Sequence, residues 1–384
     1  MKAICTDSDL VVFSHLRWDF VFQRPQHLMT RYALYRRVYF VEEPIFEKME
    51  SPYLDVRLTQ DRLHVVVPHM PNHLSPREKD EVMRGLLDSL FEGENIQNYS
   101  FWYYTPMAIN FSDHLQPAVT IYDCMDELSK FKGADPALIE KERLLLMRTD
   151  LVFTGGYSLY EAKKDRHMNV HPFPSAIDAA HFKTARETHD DPADQKHIKR
   201  PRLGFVGVID ERMDLELLQD MALLRPQWEF VLIGPVVKIN PATLPREKNI
   251  HYLGKKNYQD LPRYLSNWDC ALMPFAKNEA TQFISPTKTP EYLAAGLPVV
   301  STSIRDVVEP YGTNKLVEIA DCAKDFVARV ERVLATKKNA ARIEKIDQFL
   351  KDISWDRTWR KMAEMEAHVL ENKNSFNRSY DNLN

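Results

Sequence analysis

The residues best equipped for chemistry in this 384-residue chain lie in one segment, ALMPFAKNEATQFISPTKTPEYLAAGLPVVS, from Ala271 to Ser301. A buried strand ends at Met273-Pro274-Phe275, a polar loop follows, and a helix begins near Thr287. It stops at Gly296-Leu297-Pro298, where glycine ends a helix and proline prevents its continuation. Ser285 or Thr287 is placed to cap the N-terminus, with Pro286 or Pro290 in the first turn. A helix start offers unpaired N–H groups and positive dipole charge, which suits a diphosphate. Lys288 adds a full positive charge there. Glu291, three residues on and on the same face, can accept both hydroxyls of a ribose. An exposed Lys288–Glu291 ion pair fits the same spacing.

Four further clusters could take part. The run Gly204 to Arg212 (GFVGVIDER) brings a strand into Gly207, where backbone can approach a ligand closely. Arg212 could clamp two phosphate oxygens, or pair with Asp210 or Asp214. No G-x-G-x-x-G fingerprint follows. His15-Leu16-Arg17-Trp18 and Gln23-Arg24-Pro25-Gln26-His27 follow the first strand. Ligands of open α/β sheets bind beyond the carboxyl ends of strands, so this loop is expected at a cleft; a structural turn with an Arg–aromatic stack is the alternative. Asp123, Asp126 and Glu127 end the fifth strand and suit deprotonation of a hydroxyl, their proximity being expected to raise at least one pKa toward neutrality. A capping Asp with solvated neighbours is the competing reading. Gly155-Gly156, after the sixth strand, allows close substrate approach or a plain tight turn.

These residues need a scaffold, and the apolar pattern supplies one twice. Short continuous runs at Leu10–Ser14, Val38–Glu42, Leu63–Val67, Ser100–Tyr104, Val119–Asp123 and Leu151–Thr154 read as strands covered on both faces. Helices are expected at Arg24–Tyr32, Pro76–Phe91 and Pro136–Arg148. The second set of strands is Arg202–Val208, Glu229–Ile233, Ile250–Leu253, Cys270–Pro274 and Pro298–Ser301. Helices at Asp214–Leu224, Leu261–Asn267 and Thr289–Ala295 alternate with them, which implies parallel sheets wound by right-handed crossovers. The expected domains are residues 1–183 and 200–353, joined by the polar stretch Lys183–Pro201. A late helix over 354–371 is expected to pack back onto the first domain, with Glu371–Asn384 fraying.

The run SPTKTPEYLAAGLPVVST closely resembles the donor-binding segment of GT-B glycosyltransferases, particularly glycosyltransferase family 4. In that family a helix glutamate ahead of G-x-P-V-V contacts the nucleotide's ribose; Glu291 and Gly296-Leu297-Pro298-Val299-Val300 match it. The resemblance implies an α/β chain of GT-B fold, two doubly wound Rossmann-like domains facing across a cleft. It implies an enzyme that moves a sugar from a nucleotide-sugar, a UDP- or GDP-sugar, to a glycan or lipid-linked acceptor in cell-envelope polysaccharide synthesis. The donor would be held by Gly207, Arg212, Met273, Ser285, Thr287, Lys288 and Glu291, with Arg212 aimed at the pyrophosphate. The opening R-W-x-x-x-x-Q-R-P-Q of bacterial polysaccharide glycosyltransferases is similar to Arg17-Trp18 with Gln23-Arg24-Pro25-Gln26. It implies acceptor or phosphate contact by Arg17, Trp18, Gln23 and Arg24, with Gly155 and Gly156 at the cleft floor. Asp126 or Asp123 would be the base, with His15 a further catalytic candidate. Many members carry a glutamate eight positions before the ribose-binding one; here that position is Phe283, and a carboxylate would have to come from Glu279.

The rivals are a GT-B protein that binds without transfer, a GT-B nucleotide-sugar epimerase, and an exported two-domain solute-binding protein. No cofactor and no metal are expected. Asp7-Ser8-Asp9 spells a metal-binding DxD but precedes the first strand, and no HExxH occurs. A net charge of -4 gives no global field for nucleic acid. Four scattered cysteines without a CxxC read as buried thiols in a reducing compartment. Met1 to Asp9 lacks a signal-peptide layout, and no apolar run is long enough to span a membrane. A cytoplasmic protein is expected, with peripheral contact at the inner membrane face left open.

Overall fold

The computed structural model describes residues 8–187, 189–335 and 340–381. The chain forms two compact units. One comprises residues up to 129, 133–173 and those from 355 on; the other comprises 130–132 and 174–354.

The first unit is built on a nine-stranded sheet: β1 (Asp9–Ser14), β2 (Val38–Glu42), β3 (Ile45–Glu47), β4 (Tyr53–Gln60), β5 (Leu63–Pro71), β6 (Tyr99–Tyr103), β7 (Val119–Cys124), β8 (Leu151–Thr154) and β9 (Val170–Pro172). Their order is β3-β5-β2-β1-β6-β7-β8-β9, with β4 paired to β5. Every pairing is parallel except β4 with β5. Strands β1, β2, β6, β7 and β8 are buried along their whole length, which is why apolar residues dominate each of them. Trp102 and Tyr103 of β6 lie fully inside.

The second unit has a six-stranded parallel sheet: β10 (Arg202–Val206), β11 (Glu229–Ile233), β12 (Ile250–Gly254), β13 (Cys270–Met273), β14 (Val299–Ser301) and β15 (Glu318–Ile319). The order is β12-β11-β10-β13-β14-β15. β10 stops at Val206, short of the expected Val208, because Gly207 turns out of the ladder at φ +147°.

Three expectations change. The stretch Lys183–Pro201 belongs to the second unit. Within it, Ala185, Ile198 and Gln195 are buried, and the Gln195 amide accepts from Trp268 Nε1 at 2.8 Å and donates to the Tyr264 carbonyl at 3.3 Å. The stretch is polar because most of its side chains face solvent wholly or in part, while Ala185, Gln195 and Ile198 anchor it to the second unit. The last helix runs Trp355–Asp381, well past Glu371, and residues 382–384 lie outside the described set. Cys322 is exposed while Cys124 and Cys270 are buried; Cys5 and Asp7 lie outside the described residues. Asp9 pairs with Arg37 at 2.6 Å. Among the described residues, no helix is long and apolar enough to cross a membrane.

The helix Trp355–Asp381 packs on helix Arg24–Tyr32 and the turn after it through stacked rings and ions. Trp355 stacks on His27 with centroids 4.6 Å apart, and Trp359 on Tyr35 at 5.1 Å. The buried Arg36 guanidinium donates to both carboxylate oxygens of Glu366, at 2.9 and 2.7 Å. Glu366→Ala leaves that guanidinium buried and unpaired, so urea unfolding should show a loss of about 3–5 kcal/mol. The pair replacement Arg36→Met with Glu366→Leu should recover most of it.

Candidate functional site

In the second unit the site is organised by where strands stop. β10 and β11 end in Gly207 and Gly234, both at φ +147°. A Cβ on Gly234 would sit 1.9 Å from the Gly207 carbonyl oxygen, and one on Gly207 would sit 2.2 Å from Lys288 Cε and 2.6 Å from its Nζ. The bare backbone at 207 is therefore the space that the lysine tip occupies.

Lys288 opens the seven-residue helix Lys288–Ala294, which is secured along its length. The buried Tyr292 hydroxyl accepts the Val206 N–H at 2.7 Å, tying the helix to the end of β10. Thr289 Oγ donates to Met273 Sδ at 3.5 Å beneath it. At the far end Gly296, at φ +83°, turns the chain so that the Leu297 N–H reaches the Tyr292 carbonyl at 3.0 Å. Arg186 Nε donates to the Ala294 carbonyl at 2.7 Å, and Arg342 donates to the carbonyls of Gly296 and Leu297 at 3.1 and 2.7 Å. Two cations thus meet the negative end of the helix. Tyr292, Gly234, Arg186 and Arg342 were not singled out from the sequence; of these, Gly234 follows its strand as Gly207 does, a signal that was there to read.

The Lys288 ammonium lies 5.4 and 5.9 Å from the ring centroids of Phe205 and Phe275. Glu291, one turn on and half-buried, has its pKa pushed up to about 8 by loss of solvation, which the Lys288 charge opposes.

Other expected donor residues are arranged differently. Thr287 has helical backbone and makes no side-chain cap, while the Ser285 carbonyl accepts from Ser175 Oγ at 2.9 Å. Met273 is buried under the helix. Arg212 is held by Asp210, Nε to both carboxylate oxygens at 3.0 and 3.1 Å and Nη2 at 2.7 Å, so the ion-pair alternative is the arrangement found. Phe283 is half-buried; Glu279 is exposed, 3.6 Å from Lys130.

In the first unit most candidate residues hold one another. Buried Arg24 grips the fully buried Asp123 at 2.8–3.1 Å through three hydrogen bonds and donates to the Phe173 carbonyl at 2.7 Å. Neither is presented to an acceptor, which corrects both the base role of Asp123 and the contact role of Arg24. Arg17 donates to Glu42 at 2.9 Å and to the Glu43 carbonyl at 2.6 Å, and the Trp18 N–H donates to Glu42 at 2.7 Å. Gln26 accepts from the Gln23 N–H and donates to the Trp18 carbonyl, closing the turn. A Cβ on Gly155 would stand 2.6 Å from the Met125 carbonyl oxygen, so this glycine admits the chain itself; Gly156 precedes helix Tyr157–Lys163 in extended backbone. Glu127 meets Lys163 at 2.5 Å, and Lys163 also meets Glu142 at 2.6 Å. The three carboxylates therefore do not act as one cluster: Asp123 is paired with Arg24, and Glu127 with Lys163, which it shares with Glu142. Asp126 and His15 are half-buried at the ends of β7 and β1. Among the described residues no group of three His, Cys, Asp or Glu side chains is placed to hold a metal.

The family described as Glycosyl transferases group 1 matches residues 200–336. A putative teichuronic acid biosynthesis glycosyltransferase of Bacillus subtilis is 26% identical over 276 residues, 65% of this chain and 67% of that one. A UDP-forming alpha,alpha-trehalose-phosphate synthase from Burkholderia xenovorans superposes with a TM-score of 0.70 at 11% identity, covering 94% of this chain and 100% of that one. A sucrose-phosphate synthase from Thermosynechococcus elongatus does so at 0.69 and 14%, over 95% and 99%. The chain is a GT-B glycosyltransferase. In this glycosyltransferase the matched region holds Gly207, Lys288, Glu291 and Tyr292, while Arg186 and Arg342 lie outside it.

The titration of Glu291 gives the glycosyltransferase a pH signature. Its folded carboxyl keeps a proton up to about pH 8, whereas the unfolded chain releases it near 4.5. That contribution to stability is whole below pH 4.5 and is lost as pH rises through 8. Glu291→Gln removes the titration, so the variant should gain stability relative to the wild type between pH 5 and pH 8.5 in urea titrations. A constant difference would contradict the assigned environment.

Proposed function

We propose that the enzyme transfers a hexosyl group from a UDP- or GDP-sugar to a hydroxyl of a glycan or lipid-linked acceptor in cell-envelope polysaccharide synthesis, without a resident metal. The observation that carries this reading is Lys288, set against Gly207 at the end of β10 with Glu291 one turn along the same helix. As the bond between sugar and diphosphate breaks, negative charge grows on the leaving phosphate and positive charge on the anomeric carbon. An ammonium fixed beside bare backbone is suited to the first of these, because it needs no reorganisation as charge develops. Glu291 would bind the ribose hydroxyls. Asp126 is the proposed base for the acceptor hydroxyl, since Asp123 and Glu127 are committed to Arg24 and Lys163. The name of the Bacillus subtilis relative supports a cell-envelope glycan as acceptor. A lipid-linked acceptor would place the enzyme at the inner membrane face.

A second reading, nucleotide-sugar binding without transfer, is favoured by Phe283 where the resembling family often carries a glutamate. Assay of nucleoside-diphosphate release and of labelled sugar in the acceptor, in EDTA, separates the two. Transfer is expected with one nucleotide, and Lys288→Ala should lower kcat about 100- to 1,000-fold, in the range seen when one transition-state donor is removed. Glu291→Ala should mainly raise the donor KM, and Asp126→Asn should lower kcat with donor affinity unchanged. Donor binding without turnover would support the second reading; epimerised donor without acceptor would identify an epimerase; turnover that needs added metal would overturn the metal-free proposal.

A further inference from the structure

Among the described residues, β4 is the one strand of the first unit's sheet paired antiparallel, and it pairs with β5 alone. Its side chains stand in the open: Tyr53 is 47% exposed, Val56 37% and Leu58 59%. An eight-residue edge strand with exposed Tyr, Val and Leu is a row of unused N–H and C=O groups, which proteins normally cover or guard with charge; here the charges are one Asp and one Arg.

The order of residues, YLDVRLTQ, specifies a partner. Laid antiparallel on a second copy with Val56 opposite Val56, Leu54 faces Leu58 and Asp55 faces Arg57 in both directions; the regular ladder stops at Leu58, because the pairing with β5 shifts register between Leu58 and Gln60. Directly opposed side chains in such a pair lie about 4.5–5.5 Å apart at Cβ, so apolar groups meet apolar groups and acid meets base. The neighbouring registers that keep the same faces inward set Asp55 against Asp55 or Arg57 against Arg57. A slip by one residue turns every side chain to the wrong face. Arg57 also meets Asp19 of its own chain at an exposed site.

We propose that β4 is an interface between two copies of this chain, paired antiparallel about a two-fold axis at Val56, so that their sheets join edge to edge. The partner is a second copy because the strand is complementary to itself in charge and in apolar pattern in that one register.

Sedimentation velocity of the full chain over a concentration series tests this. The wild type should move from the mass of one chain toward that of two. Val56→Lys sets like charges across the axis and should hold the chain monomeric while its circular dichroism is unchanged. Arg57→Asp alone should do the same, and Asp55→Arg with Arg57→Asp together should restore the dimer. A wild type that is monomeric throughout, a dimer indifferent to Val56→Lys, or no rescue in the double variant would each overturn the proposal. So would a monomer that binds anionic vesicles and loses that binding in Tyr53→Ser and Leu58→Ser.

Discussion

The hydroxyl of Tyr292, buried at the end of β10, accepts the Val206 N–H at 2.7 Å, and the second unit's chemistry depends on that contact. A seven-residue helix is too short to be stable by itself in water. It persists because its middle is pinned to the sheet, its C-terminal carbonyls are taken by Arg186 and Arg342, and its underside is packed on Met273. Held in this way, it keeps Lys288 against Gly207. The two glycines at the tops of β10 and β11 are the complement of this arrangement, since either Cβ would collide with what now fills the space.

The first unit uses charge differently. Asp123 and Arg24 are both withdrawn from solvent and bound to each other, and Glu142 is shared by Lys163, Arg166 and the Tyr122 hydroxyl. Such groups are costly to bury singly and tolerable when mutually satisfied. Their effect is to fix the end of β7, from which the loop bearing Asp126 departs. A motif dense in arginine, tryptophan and glutamine is here largely an internal brace: Arg17 and the Trp18 N–H on Glu42, Gln26 across the turn, Arg24 on Asp123.

Much of the architecture was legible in the sequence because the central strands of both sheets are covered on both sides. Val38–Glu42, Glu229–Ile233 and Leu151–Thr154 begin and end where the apolar runs do. β4 was missed for the converse reason: an exposed edge strand has no buried run to announce it. The stretch around Gln195 and Arg202 misled because the polar residues that are satisfied inside the fold look, in sequence, like their neighbours that face water. Helix and strand-end grammar put Lys288 at a helix start and Gly207 at a strand end, and the structure brings those two together. What each carboxylate and guanidinium does was not legible, because Arg24 and Asp123 are 99 residues apart and only the fold brings them together.

We place the donor's diphosphate at the N-terminal end of helix Lys288–Ala294. A crystal structure with a UDP- or GDP-sugar bound tests it most directly. Phosphate oxygens are expected within hydrogen-bonding distance of Lys288 Nζ beside Gly207, and ribose hydroxyls on Glu291. A nucleotide bound in the roughly 1010 Å³ cavity of the same unit lined by Arg186, Trp268, Gly296 and Arg342, with Lys288 untouched, would contradict it.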